Sequence, residues 1–478
     1  MDNLLYNTEQ SLWHYLLAVS GVILVFFAVA RLISEKRQPT NTVAWLLAII
    51  LMPWVGVPLY LLLGGRKLRR LARGKSRLCP VLPGIAPALS PEARSSTAQI
   101  ANSAGACPAV GGNRVRFLTD GELSYHALED NIRAAKHSIH ITTFILARDD
   151  TGRRITRLLA DKAKSGVKVR LLLDSVGCLV SSYGFCNPLR AAGGEVQRFM
   201  PVFPFFSPRG SANLRNHRKI AVFDQHTAIV GGHNLAKEYM GPEPYKKRWR
   251  DFGALIQGPA AVLVNEVFLA DWAFASGKTM DELHSELLPA AMSIEGDSEL
   301  QVVASGPDVG GDPLYESIIS LIQEASKSIW IVTPYFIPDE VLLRSLIVKA
   351  RSGCEVVLII PAHSNHRVTD FARHHYLREL QQAGAHIRLY EAGMLHAKIM
   401  VVDDRFGLTG SANFDIRSLF VNFEIGVLLY SARDVHGLKQ WARGLLQHCH
   451  APQPPKDRRG RILGNIAEDL SRLLAPIL

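Results

Sequence analysis

The sequence predicts an α/β protein made of two pseudo-symmetric halves sharing one active site, preceded by an N-terminal transmembrane hairpin. Three observations predict it. Two long apolar runs without charge open the chain, a pattern of strands and helices then occurs twice, and each copy carries a His-x-Lys motif at the same place. The 478 residues suffice for several domains' worth of core. Apolar residues make up 48% and charged residues 20%, ordinary globular usage that excludes a disordered or collagen-like chain.

The hairpin is assigned to residues 1–65. Leu12 to Ala30 and Val43 to Leu63 hold no charged side chain, and each is long enough to cross a hydrocarbon core as a helix. Trp13, Tyr15, Trp45, Trp54 and Tyr60 include residues placed where aromatic belts form. A cleaved signal peptide fits the first run poorly, because the tail before it carries Asp2 and Glu9 and no Lys or Arg. Two buried core helices are the plain alternative, but uncharged runs of this length are uncommon in soluble cores. Pro53 and Pro58 interrupt the second run and predict a kinked or re-entrant course.

Residues 66–113 follow as a basic flank and linker. Arg66, Lys67, Arg69, Arg70, Arg73, Lys75 and Arg77 account for most of the formal charge of +11, and without them the chain carries +4. So local an excess argues against a nucleic-acid-binding face. Set against Arg31, Lys36 and Arg37 in the connecting loop, it places the remainder of the chain on the cytoplasmic side. The cluster either attracts anionic lipid head groups, at about 1 kcal/mol per basic side chain, or serves only as a topogenic flank. Leu78 to Asn113, rich in Pro, Ala, Ser and Gly, reads as linker. The six cysteines include no C-x-x-C pair and read as reduced thiols.

The halves are assigned to residues 114–290 and 291–478. In the first, a helix ending at Ala135-Lys136 precedes the apolar strand Ser138 to Leu146, a helix carrying Ile155, Leu158 and Leu159, a turn, and the strand Val167 to Leu173. In the second, Glu324 to Lys327 precedes the strand Ser328 to Phe336, the helix Glu340 to Ala350, a turn, and the strand Val356 to Ile360. Short strands alternating with helices give an α/β class. The first half carries 12 extra residues near the apolar stretch Pro201 to Phe206, read as a membrane-dipping insert ahead of a loop folded on the core. The segment from Ile462, with Ile466, Leu470 and Leu473, has helical spacing and suits either the membrane surface or packing on the second half.

Chemistry resides in the repeated motif. His217-Arg218-Lys219, Asp224 and Asn234 stand at the spacing of His396-Ala397-Lys398, Asp403 and Asn413. Ile220, Val222 and Ile399, Val401 alternate with other residues, so each motif is placed on a strand with His and Lys facing one side. One imidazole and one ammonium per half suit a phosphodiester. The lysines neutralise phosphoryl oxygens, Asn234 and Asn413 add amide donors, one imidazole attacks phosphorus and the other protonates the leaving oxygen. Neither half is complete, so the site lies at their interface. Lysine is a poor ligand whose charge repels a cation, so no catalytic metal is expected. His374-His375 and His448-Cys449-His450 read as incidental, and the Gly-Gly pairs match no dinucleotide or P-loop fingerprint, so no cofactor is expected.

The two H-x-K-x4-D-x6-G-[GS]-x-N segments resemble those of the phospholipase D superfamily. The hairpin segment Thr42 to Gly64, Trp249-Arg250-Asp251, Thr333-Pro334-Tyr335-Phe336 and the ending Asn465 to Pro476 resemble bacterial cardiolipin synthases. The resemblance implies two phospholipase D-like halves and a phosphatidyl-histidine intermediate. It implies phosphatidylglycerol as donor and acceptor, with glycerol leaving. It implies His217 as nucleophile and His396 as acid, then base, an order that the near-symmetry of the halves leaves open. An acid downstream of each motif orients the imidazole in the family, and Asp251 and Glu424 match those positions. Asp224 and Asp403 are carried with the catalytic set as motif members, although they suit holding strands and loops better than touching phosphate. Gly232 stands where the second copy has Ser411, so hydroxyl help comes from one half only. A bacterial inner-membrane location with the catalytic region in the cytoplasm follows. No oligomeric state is specified. The same motifs also serve a hydrolytic phospholipase D, transfer to another alcohol such as ethanolamine, and, less fittingly, a membrane-tethered nuclease or an inactive scaffold.

Overall fold

The computed structural model describes residues 15, 19–30, 32, 39–63, 89–179, 181, 184–201, 213–287 and 293–452. The chain divides into two compact units, one built on the N-terminal helices and one on the remainder.

In the N-terminal unit residues 19–30 are helical, followed by the helices Pro39–Leu51 and Pro53–Leu63. Ala28, Leu32, Ile49, Val57 and Tyr60 are buried together, while Phe26, Phe27, Leu51 and Val55 are exposed. The second uncharged run is broken at Met52. Pro53 supplies no amide hydrogen and begins a new helix there. The break brings the chain so close that a Cβ on Gly56 would lie 2.2 Å from the Ala48 carbonyl oxygen. Among the described residues, no helix is long and apolar enough to cross a membrane. The expectation of two spans meets a first run that lies partly outside the described residues and a second that is two shorter helices.

The larger unit is an α/β body. Its first half contributes β1 (Val110–Leu118), β2 (Ser138–Thr143), β3 (Lys168–Asp174), β4 (Glu195–Phe199), β5 (Ile220–Phe223), β6 (Thr227–Gly231) and β7 (Gly253–Gln257). The second contributes β8 (Ser298–Ser305), β9 (Ser328–Val332), β10 (Phe336–Ile337), β11 (Glu355–Pro361), β12 (His386–Tyr390), β13 (Ile399–Val402), β14 (Phe406–Gly410), β15 (Phe414–Asp415), β16 (Glu424–Leu429) and β17 (Cys449–His450). Outward from the centre the sheet runs β1-β7-β6-β5-β2-β3-β4 on one side and β8-β16-β14-β13-β9-β11-β12-β17 on the other. The plan is the same in each half, and antiparallel β1 and β8 fuse the two at Val110↔Leu300 and Asn113↔Ser298. β10 and β15 pair separately.

Local chemistry explains the elements. Asp120, Asp149 and Asp339 accept from Leu123, Gly152 and Leu342 amides and cap the helices Gly121–Ala134, Asp150–Lys164 and Glu340–Arg351. The parallel strands β2 and β9 are buried along their whole length, as strands covered on both faces must be. Alternation along the motif strands assigns two layers. Ile220, Val222, Ile399 and Val401 enter one core spanning both halves, whereas Ala221 and Phe223, and Met400 and Val402, enter separate cores under each half's own helices. The helix Pro259–Ser276 is buried from Pro259 to Trp272 because the shared core surrounds it. The halves therefore form one cooperative body.

Two expectations are corrected. The segment 89–113 is not a linker: it holds the helix Ser96–Ser103 and the start of β1, and Ala93, Ala98, Ala101 and Ala106 join the second half's core. Small uncharged side chains suit close packing as well as a flexible tether. Cys107 is disulfide-bonded, to a partner outside the described residues, whereas Cys178, Cys186, Cys354 and Cys449 are free thiols. The basic cluster 66–77, most of the apolar insert and the C-terminal segment from Ile462 also lie outside the described residues.

Candidate active site

His217 and Lys219 lie in the extended stretch entering β5, and His396 and Lys398 in the equivalent stretch entering β13, one to three residues ahead of the strands proper. Each stretch is zipped to the other half. The His217 amide donates to the Phe423 carbonyl (2.9 Å) and the His396 amide to the Arg250 carbonyl (2.8 Å). The residues after those carbonyls are Glu424 and Asp251. The acids consequently cross over: His217 Nδ1 lies 2.9 Å from Glu424 Oε1, and His396 Nδ1 lies 2.6 Å from Asp251 Oδ2. Registers Gly231↔Gly253 and Gly410↔Gly426 make Asp251 and Glu424 equivalent positions, so the exchange is symmetric. With Nδ1–H donated to a carboxylate, the His217 Nε2 keeps its lone pair for chemistry, while Lys398 Nζ lies 3.1 Å from His396 Nε2.

Burial and charge set the protonation states. Burial, with Lys398 next, depresses His396 to about 3 against the pull of Asp251. Burial also lowers His217 from its ordinary value, opposed by Glu424 and assisted by Lys219 and Lys398. Burial pushes Lys219 down to about 7 and Lys398 down to about 8. Burial works against the Asp251 and Glu424 carboxylates, yet the neighbouring histidines and lysines hold both below the usual range. Lys398 acts on His217 and Lys219 on His396, so the two motifs share one electrostatic neighbourhood. Aromatic rings wall it: Phe144 packs on His217, and Tyr239 and Trp249 on His396. Lys219 Nζ donates to the His217 carbonyl (2.7 Å), and Lys398 Nζ to the His396 carbonyl. A phosphate between the imidazoles would raise all four basic groups.

The supporting residues divide unevenly. Ser411 Oγ donates to Glu424, completing that carboxylate's shell. Serine has no room at Gly232, where a Cβ would lie 2.1 Å from Asp251 Oδ1. Asn234 Oδ1 accepts from the Ile145 amide (3.0 Å), which leaves Nδ2 without a well-formed acceptor. Asn413 is buried and hydrogen-bonds Asp415. Asp224 and Asp403 do not join the imidazoles, which corrects their place in the catalytic set. Each follows the far end of its strand, at φ +50° and +53°. Asp224 accepts from the Lys136, His137 and Ser138 amides, and Asp403 from those of Ser326, Lys327 and Ser328. They anchor the hairpin turns to β2 and β9.

Sequence reasoning passed over three neighbours. His233 is buried within the charge field of Asp251, with Ser124 Oγ 3.1 Å from its Nε2. The signal was its place beside Asn234, where the second copy has Ala412. Arg218 is fully buried, pairs with Asp271 at 2.5 Å and donates to the Glu424 and Ser305 carbonyls (both 3.0 Å), bolting the halves together. Arg215 stands two residues ahead of His217 with its guanidinium buried.

Comparison with known proteins gives the lineage. The family described as "Cardiolipin synthase, PLD-like domain" matches residues 128–272 and 318–446, and "Phospholipase_D-nuclease N-terminal" matches 23–65. A protein named cardiolipin synthase from Geobacillus kaustophilus is 34% identical over 95% of this chain and 92% of its own length. The chain belongs to the cardiolipin synthase family of phospholipase D-like proteins. A second relative, cardiolipin synthase 1 of Bacillus anthracis, is 32% identical over 99% of this chain and 94% of its own. In fold alone, the phosphatidylserine synthase of Haemophilus influenzae Rd KW20 superposes with a TM-score of 0.57, at 16% identity, over 76% of this chain and 95% of that one.

Proposed function

We propose that the protein is a cardiolipin synthase that transfers a phosphatidyl group between two phosphatidylglycerol molecules, releasing glycerol, through a phosphatidyl-His217 intermediate. Full-length likeness to proteins bearing that name supports the reaction class. The observation that carries the mechanism is the crossed pairing of each imidazole with the other half's carboxylate.

His217 Nε2 attacks phosphorus while Glu424 stabilises the cation forming on its ring. The glycerol oxygen departs with a proton from His396, which phosphate binding has raised towards the imidazolium. The second phosphatidylglycerol then gives its hydroxyl proton to His396 Nε2, its oxygen forms the new phosphorus bond, and the bond to His217 breaks. Lys219, Lys398 and the Asn234 amide face the charge on the phosphoryl oxygens. Asp251 orients His396 throughout. The aromatic surround favours an alcohol delivered with its lipid over bulk water.

The hairpin is the membrane anchor in this reading. Outward-facing Phe26, Phe27, Leu51 and Val55, each more than half exposed, suit hydrocarbon and not water. Arg31, Lys36 and Arg37 against the larger cluster at 66–77 orient the catalytic body to the cytoplasm, at the inner membrane of a bacterium. Incubating purified protein with labelled phosphatidylglycerol, with chelator present, tests the proposal. Cardiolipin and free glycerol are expected; phosphatidic acid as sole product would overturn it.

A further inference from the structure

A buried arginine beside the reacting centre is left with unmet hydrogen-bonding demand. Arg215 is only 4% exposed. Its Nη1 donates to the Met200 carbonyl (3.1 Å) and lies 3.9 Å from Asp174 Oδ1, while Nε and Nη2 have no partner. Asp174 supplies only the 3.9 Å approach to Nη1, and its oxygens also accept from the Val176, Gly177 and Asn216 amides. Arg417, in the helix Ile416–Phe420 of the other half, adds a second charge that acts on both Arg215 and Asp174. A buried guanidinium with two idle donors is costly unless an anion completes it, and arginine forks match phosphate oxygens. The place suits a ligand, because Asp174 ends the parallel strand β3, on the edge where α/β sheets bind substrates.

Spacing identifies the anion. Arg215 and His217 are two residues apart in an extended stretch, about 6.6 Å along the chain. In cardiolipin the two phosphorus atoms are separated by one glycerol bridge of comparable span, and only one of them reacts. We propose that Arg215 binds the non-reacting phosphodiester of the acceptor lipid, so that the site selects a hydroxyl carried on a phosphate-bearing glycerol over water or an uncharged alcohol. The inference rests on the phosphatidyl-transfer reading and names its acceptor subsite.

The test offers the full-length enzyme, in detergent micelles with phosphatidylglycerol as donor, equal concentrations of labelled glycerol and labelled glycerol 3-phosphate. The wild type is expected to favour glycerol 3-phosphate by roughly tenfold in kcat/KM, as paired charge-assisted hydrogen bonds would give. Arg215→Gln is expected to bring that ratio close to one and to lower the ratio of cardiolipin to phosphatidic acid in parallel, with Arg215→Lys between. A wild type indifferent to the phosphate, or an Arg215→Gln that slows both acceptors in proportion, overturns the proposal. Should the glutamine variant fail to fold, the wild-type preference and the lysine variant decide it. If phosphatidylglycerol alone yields only phosphatidic acid, the function reading fails, while the acceptor ratio still reports on the subsite.

Discussion

At Gly232 a missing side chain is as informative as those present. Asp251 fills the volume that Ser411 occupies in the other half, because aspartate is one methylene shorter than Glu424 and its carboxylate sits closer to the strand. Gly232→Ser is expected to push Asp251 off His396 and cut turnover by about 10²-fold, the scale of a lost general acid–base group, read as cardiolipin formed per folded enzyme. Protonation gives a second expectation. Catalysis needs His217 neutral, and burial lowers it, so the acid limb of kcat/KM falls below the ordinary histidine value. It also needs a protonated His396 and charged lysines, and burial lowers all three in the free enzyme, so the alkaline limb of kcat/KM is drawn to low pH. Bound phosphate raises both lysines, so the alkaline limb of kcat lies at higher pH than that of kcat/KM; coincident limbs would contradict the assignment.

At the scale of elements, the motif aspartates and Arg218 divide stability from chemistry. Asp403 closes the turn after β13 and accepts three amides at the start of β9 together with the Ser326 hydroxyl (2.8 Å). Asp403→Ala strands those donors and is expected to cost about 1–3 kcal/mol in chemical denaturation, with a far smaller loss of turnover in the folded fraction than His396→Ala causes. Arg218→Ala leaves Asp271 charged and buried between the halves, and about 3–5 kcal/mol is expected to be lost. Element reading also shows where sequence patterns were legible. The helices Asp150–Lys164 and Glu340–Arg351 were legible from the repeated strand–helix–turn–strand pattern, and the structure adds the aspartate caps that start them. The linker reading of 89–113 failed because composition does not distinguish a tether from a closely packed run of small residues. The second apolar run broke at Pro53, which opens a new helix, whereas Pro58, also expected to interrupt the run, lies inside that helix.

The larger unit is one body, because the core beneath the motif strands is continuous across the halves and each imidazole takes its carboxylate from the far side. Residues 114–290 and 291–478 produced separately are therefore expected to be inactive and to aggregate through the exposed shared core; activity in either alone would refute the shared site. The crossed pairs also predict strong coupling. Asp251→Asn and His396→Ala act on one group, so the double variant is expected to be scarcely slower than His396→Ala. Asp251→Asn combined with Ser411→Ala, which act on different histidines, the second through Glu424, is expected to be nearly additive.

The chain's own residues determined the duplication, the α/β class, the paired motifs and the phosphodiester chemistry, since these follow from periodicity, spacing and side-chain type. The family resemblance nominated Asp251 and Glu424, each as the acid downstream of a motif. Only the tertiary structure decided that the acids exchange between halves, which amides Asp224 and Asp403 hold, and that Arg215 is buried with idle donors. Contacts between residues some 150 to 200 positions apart are set by how two sheets fuse at β1 and β8, and no local pattern encodes that junction.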